Sequence, residues 1–186
     1  MFEIIIHGRG GQGAKTAAQL IVDTAIDKGK YIQAFPEYGP ERTGAPMRTF
    51  ARISDEPIKT YQPVTDPDAV IVIDPTLLDV VDVKTGITDK TVIIVNTTKS
   101  SEEIKKKIGF SGKLYTIDAT GISIDMLGRN MPNTPVLGAL IKVTKVIELQ
   151  TLLDKIEGMF LKKIGPEKTK ANIECVKKAY DDVKGG

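Results

Sequence analysis

The stretch Ile4-Ile5-Ile6-His7-Gly8-Arg9-Gly10-Gly11-Gln12-Gly13-Ala14-Lys15-Thr16 decides the fold. Its opening is a short β-branched run flanked by Glu3 and His7 and ended by glycines, the pattern of a strand buried on both faces of a parallel sheet. A helix should follow directly. Small and apolar residues recur at Ala14, Ala17, Ala18, Ile21 and Ala25, one face at helical spacing, and Gly29 stops the helix after Lys28. Residues 31–35 then read as a second strand that completes a βαβ unit. Between strand and helix, Gly8, Gly10 and Gly13 fit G-x-G-x-x-G, where missing side chains allow a tight turn and let a phosphate approach backbone N–H groups at the positive end of a helix. By itself the loop is equally compatible with a sharp strand-to-helix turn that holds nothing.

Two familiar nucleotide patterns stop short. A nicotinamide site also needs an acid about 20 residues past the loop, at the end of the second strand. Here that strand ends in Gln33-Ala34-Phe35-Pro36, with Glu37 displaced beyond the proline. The P-loop spacing fails because an alanine separates Gly13 from Lys15-Thr16.

Farther along, residues 36–46 hold three prolines and two glycines, too many breakers for a helix or a central strand, and form a long loop of the kind that carries function. Residues 47–53 alternate, with arginines at 48 and 52. A turn at Ser54-Asp55-Glu56-Pro57 leads into a second short strand, residues 58–61, so the pair reads as an antiparallel hairpin added to the sheet. Residues 69–73, 91–95 and 114–117 are three more β-branched runs, each followed by turn residues and a helical segment. After Pro132 the chain turns helical over residues 135–143, about 148–160, and 167–183. Glu174 stands four residues before Lys178, a surface pair of small value. The expectation is an α/β fold: a single three-layer domain over residues 1–186, with a mostly parallel open sheet, an added antiparallel hairpin and C-terminal helices.

Composition narrows the function classes. Hydrophobic residues make up 41% of the 186 and charged residues 27%, ordinary globular values, and a net charge of +2 gives no general attraction to nucleic acid or membrane. The N-terminus lacks a signal peptide and no run is long enough to span a bilayer, so the expected location is cytoplasmic. The single cysteine, Cys175, cannot form an internal disulfide or hold a cluster.

Three separated motifs carry a family resemblance. The segment Gly8-Arg9-Gly10-Gly11-Gln12-Gly13, then Phe35-Pro36-Glu37-Tyr38-Gly39-Pro40-Glu41-Arg42-Thr43-Gly44-Ala45-Pro46, and finally Asn133-Thr134-Pro135-Val136-Leu137-Gly138-Ala139 resemble the gamma subunit of pyruvate and related 2-oxoacid:ferredoxin oxidoreductases. The resemblance covers the whole chain in length and order of elements. It implies a complex in which alpha, beta and delta partner subunits hold thiamine diphosphate, magnesium and iron–sulfur clusters, ferredoxin accepts the electrons, and coenzyme A accepts the acyl group. This chain then has a non-redox share of the work, binding and contact. Carried over by position, the implied coenzyme A ligands are Arg42, Arg129 and Asn133. The glycine loop (Gly8, Gly10, Gly11, Gly13), Lys15 and Thr43 complete an anion-facing surface, with no catalytic residue and no metal ligand. Arginine forks suit phosphate oxygens, and four of the five arginines (Arg9, Arg42, Arg48 and Arg129) flank these motifs.

Each of these residues also has a plainer reading. Arg42 could pair with Glu37 or Glu41 on the surface, and Arg129 could cap the helix before it. Glu37, Tyr38 and Glu41, without a histidine partner, read as subunit contacts. His7, the only histidine, is expected to hydrogen-bond to loop backbone. Cys175 reads as a small packing residue, and Lys105-Lys106-Lys107 as a solvated helix face. Asn96-Thr97-Thr98 spells a glycosylation sequon that has no meaning in a cytoplasmic chain. Two other functions stay open: a free-standing NAD(P)-binding oxidoreductase, and a structural subunit whose glycine loop binds nothing.

Overall fold

The structure, a computed structural model, describes residues 1–37 and 44–186. One seven-stranded sheet runs in the order β2-β3-β1-β4-β5-β6-β7. Strands β1 (Phe2–Arg9), β4 (Ala69–Val72), β5 (Val92–Asn96) and β6 (Lys113–Ile117) are its parallel centre. Alternate residues of these strands feed two cores. Ile4, Ile6, Ile71 and Ile94 pack under α1 (Ala14–Ile26), α3 (Ala119–Leu127), α4 (Pro135–Thr144) and α5 (Leu149–Asp182). Ile5, Val70, Val72 and Ile93 pack under α2 (Ser101–Ile108) and a 3-10 turn at Pro75–Asp79. Three layers with a mostly parallel sheet are therefore present, as periodicity predicted.

The hairpin is not. Strand β3 (Pro46–Ser54) lies between β1 and β2 (Tyr31–Glu37) and pairs antiparallel with both. The βαβ unit is thereby split: β2 runs in the direction of β1 but does not touch it. Arg52 lies within the buried part of β3. Here its side chain is only 3% exposed, donating to Glu3 (2.6 Å), Gln33 (2.7 Å) and the carbonyl of Gln62 (2.8 Å). Residues 58–61 form no strand. The carbonyls of Thr60 and Gln62 accept from the side chains of Gln33 and Arg52, so this segment is satisfied without a ladder. Pro36 and Glu37 end β2 and Pro46 opens β3, leaving a shorter connection than expected.

The C-terminal helices fall where predicted. The backbone breaks inside α5 at Gly165 (φ 81°, ψ 169°), and Pro166 opens its second part. The pair Glu174–Lys178 is not made; Glu174 binds Lys177 (3.0 Å) and Lys178 binds Asp182 (2.7 Å). The two-residue strand β7 (Lys184–Gly185) pairs with β6, a short-range addition with no sequence signal. Cys175 is fully buried, and burial pushes its thiol up to about 11. Asn96 is buried as well. Its amide donates to the Ile73 carbonyl and the Thr120 hydroxyl, both at 2.8 Å, a tether that leaves no amide for a glycan. Among the described residues no helix is long and apolar enough to cross a membrane.

Candidate ligand site at the carboxyl edge of the sheet

Chain leaving β1 runs toward the β2 side and chain leaving β4 toward the β5 side, so the crevice between the carboxyl ends of β1 and β4 is the switch point where open α/β sheets bind ligands. The glycine loop forms one wall. Gly11 (φ 97°) and Gly13 (φ 79°) adopt the left-handed conformation that only glycine takes at little strain. The Gly10 amide donates to the Ala45 carbonyl at 3.1 Å and the Gly44 amide to the Gly10 carbonyl at 3.2 Å, which prolongs the β1–β3 pairing into the loop.

Side chains of the protein itself fill this crevice. Asp74, just past β4, accepts from Arg9 Nε (3.1 Å) and Gln12 Nε2 (2.7 Å), while its other oxygen accepts from the Thr76 amide (2.9 Å) and hydroxyl (2.7 Å). Arg9 also donates to the Gly44 carbonyl (3.2 Å) and the Thr76 hydroxyl (2.9 Å). Burial pushes the Asp74 carboxyl up, but the bonds from Thr76 and Gln12 and the charge of Arg9 outweigh it and hold the group below the ordinary 3.8. Arg9 and Gln12 are thus already committed.

What remains open lies one step away. Helix α1 starts at Gly13 with no side-chain cap, and α4 starts at Thr134 with none either. The first-turn amides of α1 are left for water or an anion; at α4, Pro135 has no amide hydrogen, Val136 donates to the Pro132 carbonyl (3.1 Å) and Leu137 to the Thr134 carbonyl (3.2 Å), so that start adds only the positive end of its dipole. The two starts meet: a β-carbon on Gly13 would stand 2.7 Å from Cγ of Asn133, which is only 6% exposed. Gly8 matters for packing, since a β-carbon there would sit 3.2 Å from that of Ala14. Lys15 is exposed beside the loop. Arg129 is exposed in the turn after α3, along a groove with Lys168 and Met126; it does not cap α3, which Gly128 closes by donating to the Ile124 carbonyl at 2.9 Å. Four residues span at most about 14 Å of chain, so Arg129 lies within that of Asn133. Arg42 and Thr43 lie outside the described residues.

A second cavity, which the sequence reading missed, opens on the other face of the sheet at the same edge. It measures about 310 Å³ and is lined by His7, Glu37, Met47, Arg48, Leu77 and Val81. His7 is 3% exposed; burial, then the charge of Arg48, lower its pKa to about 4 against a small opposing pull from Asp82. The expected hydrogen bond from its ring to the loop is absent among the described residues. Arg48 donates to Glu37 from Nε (2.7 Å), holds it in an ion pair that also brings Nη2 close, and stacks over Phe50 at 5.6 Å. Glu37 therefore does stand at the end of β2, contrary to the sequence reading. It is no ribose acid, because β3 separates it from the glycine loop and Arg48 holds it.

Fold and site together define a class: a doubly wound α/β chain whose switch-point crevice is closed by its own side chains, and whose open backbone donors lie at the start of α1, where it meets the start of α4. The chain belongs to the pyruvate ferredoxin/flavodoxin oxidoreductase family, whose model matches residues 3–182. It is 49% identical to the pyruvate synthase subunit PorC of Thermotoga maritima, over 98% of this chain and 95% of that one. It is 46% identical to the pyruvate/ketoisovalerate oxidoreductases common subunit gamma of Thermococcus kodakarensis, over 96% and 97%. The crystal structure of the pyruvate oxidoreductase subunit PORC from Thermotoga maritima superposes with a TM-score of 0.89 at 45% identity, covering 100% of this chain and 98% of that one. A likeness of fold alone, with a TM-score of 0.78 at 21% identity, extends to the 2-oxoglutarate:ferredoxin oxidoreductase of Magnetococcus marinus, covering 97% of this chain and 30% of that one.

Proposed function

We propose that this chain is the gamma subunit of a cytoplasmic, multi-subunit pyruvate:ferredoxin oxidoreductase, contributing coenzyme A binding and subunit contacts. The complex decarboxylates pyruvate oxidatively, transfers the acetyl group to coenzyme A, releases carbon dioxide and passes an electron pair to ferredoxin. The chain's own residues do not fit the redox groups. An iron–sulfur cluster needs several thiolates, and the one cysteine is buried with a raised pKa. Thiamine diphosphate, magnesium and the clusters accordingly belong to alpha, beta and delta partners. Related gamma subunits serve several 2-oxoacids, and 2-oxoglutarate, 2-oxoisovalerate or indolepyruvate is the alternative substrate.

The observation that carries the coenzyme A reading is the meeting of the α1 and α4 starts at Gly13 and Asn133. Coenzyme A carries a diphosphate and a 3′-phosphate, and the uncapped start of α1 with nearby cations favours such anions by charge and by hydrogen bonding, while α4 adds the positive end of its dipole. Gly8, Gly10, Gly11 and Gly13 shape the loop, Lys15 and Arg129 supply charge, and Asn133 supplies an amide; Arg42 and Thr43 join them by family resemblance. One observation favours the structural-subunit reading instead: Arg9 and Gln12 are spent on Asp74.

In the assembled complex, Arg42→Ala with Arg129→Ala, and separately Asn133→Asp, should raise the KM for coenzyme A on the order of tenfold, equivalent to about 1.4 kcal/mol. Decarboxylation of the 2-oxoacid without coenzyme A should change little. An unchanged KM in all these variants leaves the structural reading.

A further inference from the structure

We infer that the pocket over His7 receives an aromatic side chain bearing one hydrogen-bonding atom, donated by a partner polypeptide of the same complex. The inference rests on the subunit reading above but not on coenzyme A binding. Helix α1 covers β2 and β3 from one side. The opposite layer, α2 and the 3-10 turn, is centred on β4 to β6, and at the carboxyl end of β2 and the amino end of β3 the Glu37 and Arg48 side chains stay 41% and 39% exposed.

The chemistry of the pocket selects its occupant. Arg48 and Glu37 neutralise each other and His7 is uncharged at working pH, so among the described residues that line the pocket no free countercharge awaits an ion, and desolvating one there is costly. A purely aliphatic group would cover His7 and leave its ring nitrogens unsatisfied, a penalty of about 1–3 kcal/mol. A phenol or indole meets both demands. Its ring lies against Met47, Leu77 and Val81 and within reach of the Arg48 guanidinium, and its polar edge bonds the imidazole.

A protein source is favoured over a small molecule by size and surroundings. At about 310 Å³ the pocket is at the lower limit for small-ligand sites, which begin at roughly 300 Å³. Val80, the chain neighbour of the pocket-lining Val81, stands 64% exposed, apolar surface of the kind a docked polypeptide covers.

His7 is the only histidine, so hydrogen–deuterium exchange at its imidazole C2 carbon, read by mass spectrometry, reports this pocket alone. The full chain alone and the reconstituted complex are compared. Exchange should slow at least fivefold on assembly. Val81→Asp, after circular dichroism shows it folded, should incorporate on the order of tenfold less well than wild type in competition. A benzophenone amino acid at Val80 should crosslink to a partner peptide that contains tyrosine or tryptophan. Equal exchange in free and assembled chain, normal incorporation of Val81→Asp, a crosslinked peptide without an aromatic residue, or a crosslink to a second copy of this chain each overturns the inference. Failure of the chain to assemble with any partner would instead sink the subunit reading.

Discussion

Gly13 and Asn133, 120 positions apart in the sequence, are packed so closely that a β-carbon on the first would stand 2.7 Å from Cγ and 2.8 Å from Nδ2 of the second. Two motifs that look independent along the chain are thus one surface, and the helix starts they open face the same space.

That contact makes a double-mutant test possible. Gly13→Ala should lower stability by about 2–4 kcal/mol, combining strain at a positive φ with overpacking. Asn133→Gly on top of it should restore the packing part and leave the φ part, so the two changes are non-additive in thermal denaturation. Additive effects would show that the asparagine yields freely.

Asp74→Asn removes the charge that Arg9 and Gln12 hold, and should destabilise by about 1–3 kcal/mol. Because the folded carboxyl is held below 3.8, its contribution is fully present above that value and is lost as pH falls through the lower, folded value. Urea midpoints of wild type and variant should therefore differ at pH 6 and draw together only as pH falls below 3.8.

His7 probes the stretch of the pH scale just above that of Asp74. Its folded pKa of about 4 lies below the ordinary 6.5, so the unfolded chain takes up the proton first. Its contribution is complete above pH 6.5 and declines as pH falls to about 4, by roughly 3 kcal/mol at about 1.4 kcal/mol per unit. His7→Phe should flatten the fall in denaturation midpoint between pH 6.5 and 4.5. An identical slope would place the imidazole in water.

Gly138, in the third motif, faces the backbone of α5: a β-carbon there would collide with the Val176 carbonyl oxygen. Gly138→Ala should cost about 2–4 kcal/mol through forced separation of α4 and α5, and Gly158→Ala, with nothing near, should be neutral or stabilising. Comparable Tm losses in both would contradict the packing account.

Most of the sheet was legible because its central strands are continuous β-branched runs, a local signal that survives without knowledge of partners. Strand β3 was paired with the wrong segment, since what holds it between β1 and β2 includes Arg52, whose charge Glu3 neutralises and whose other donors Gln33 and the Gln62 carbonyl satisfy, groups brought from three other segments. The site divided in the same way. The glycine loop and the Asn133 segment could be named from motifs, whereas the commitment of Arg9 to Asp74 depends on a residue 65 positions away that no motif marks.

By itself the sequence determined the three-layer class, the positions of the parallel strands and main helices, the single inert cysteine and the family, because each is written in local periodicity or in a contiguous motif. Only the tertiary structure decided that β3 divides β1 from β2, that Asp74 occupies the switch-point crevice, and that His7 floors a pocket beside Arg48. Those outcomes are set by which distant polar groups meet in the folded chain, and a buried charge can be told from an exposed one only once its partners are in place.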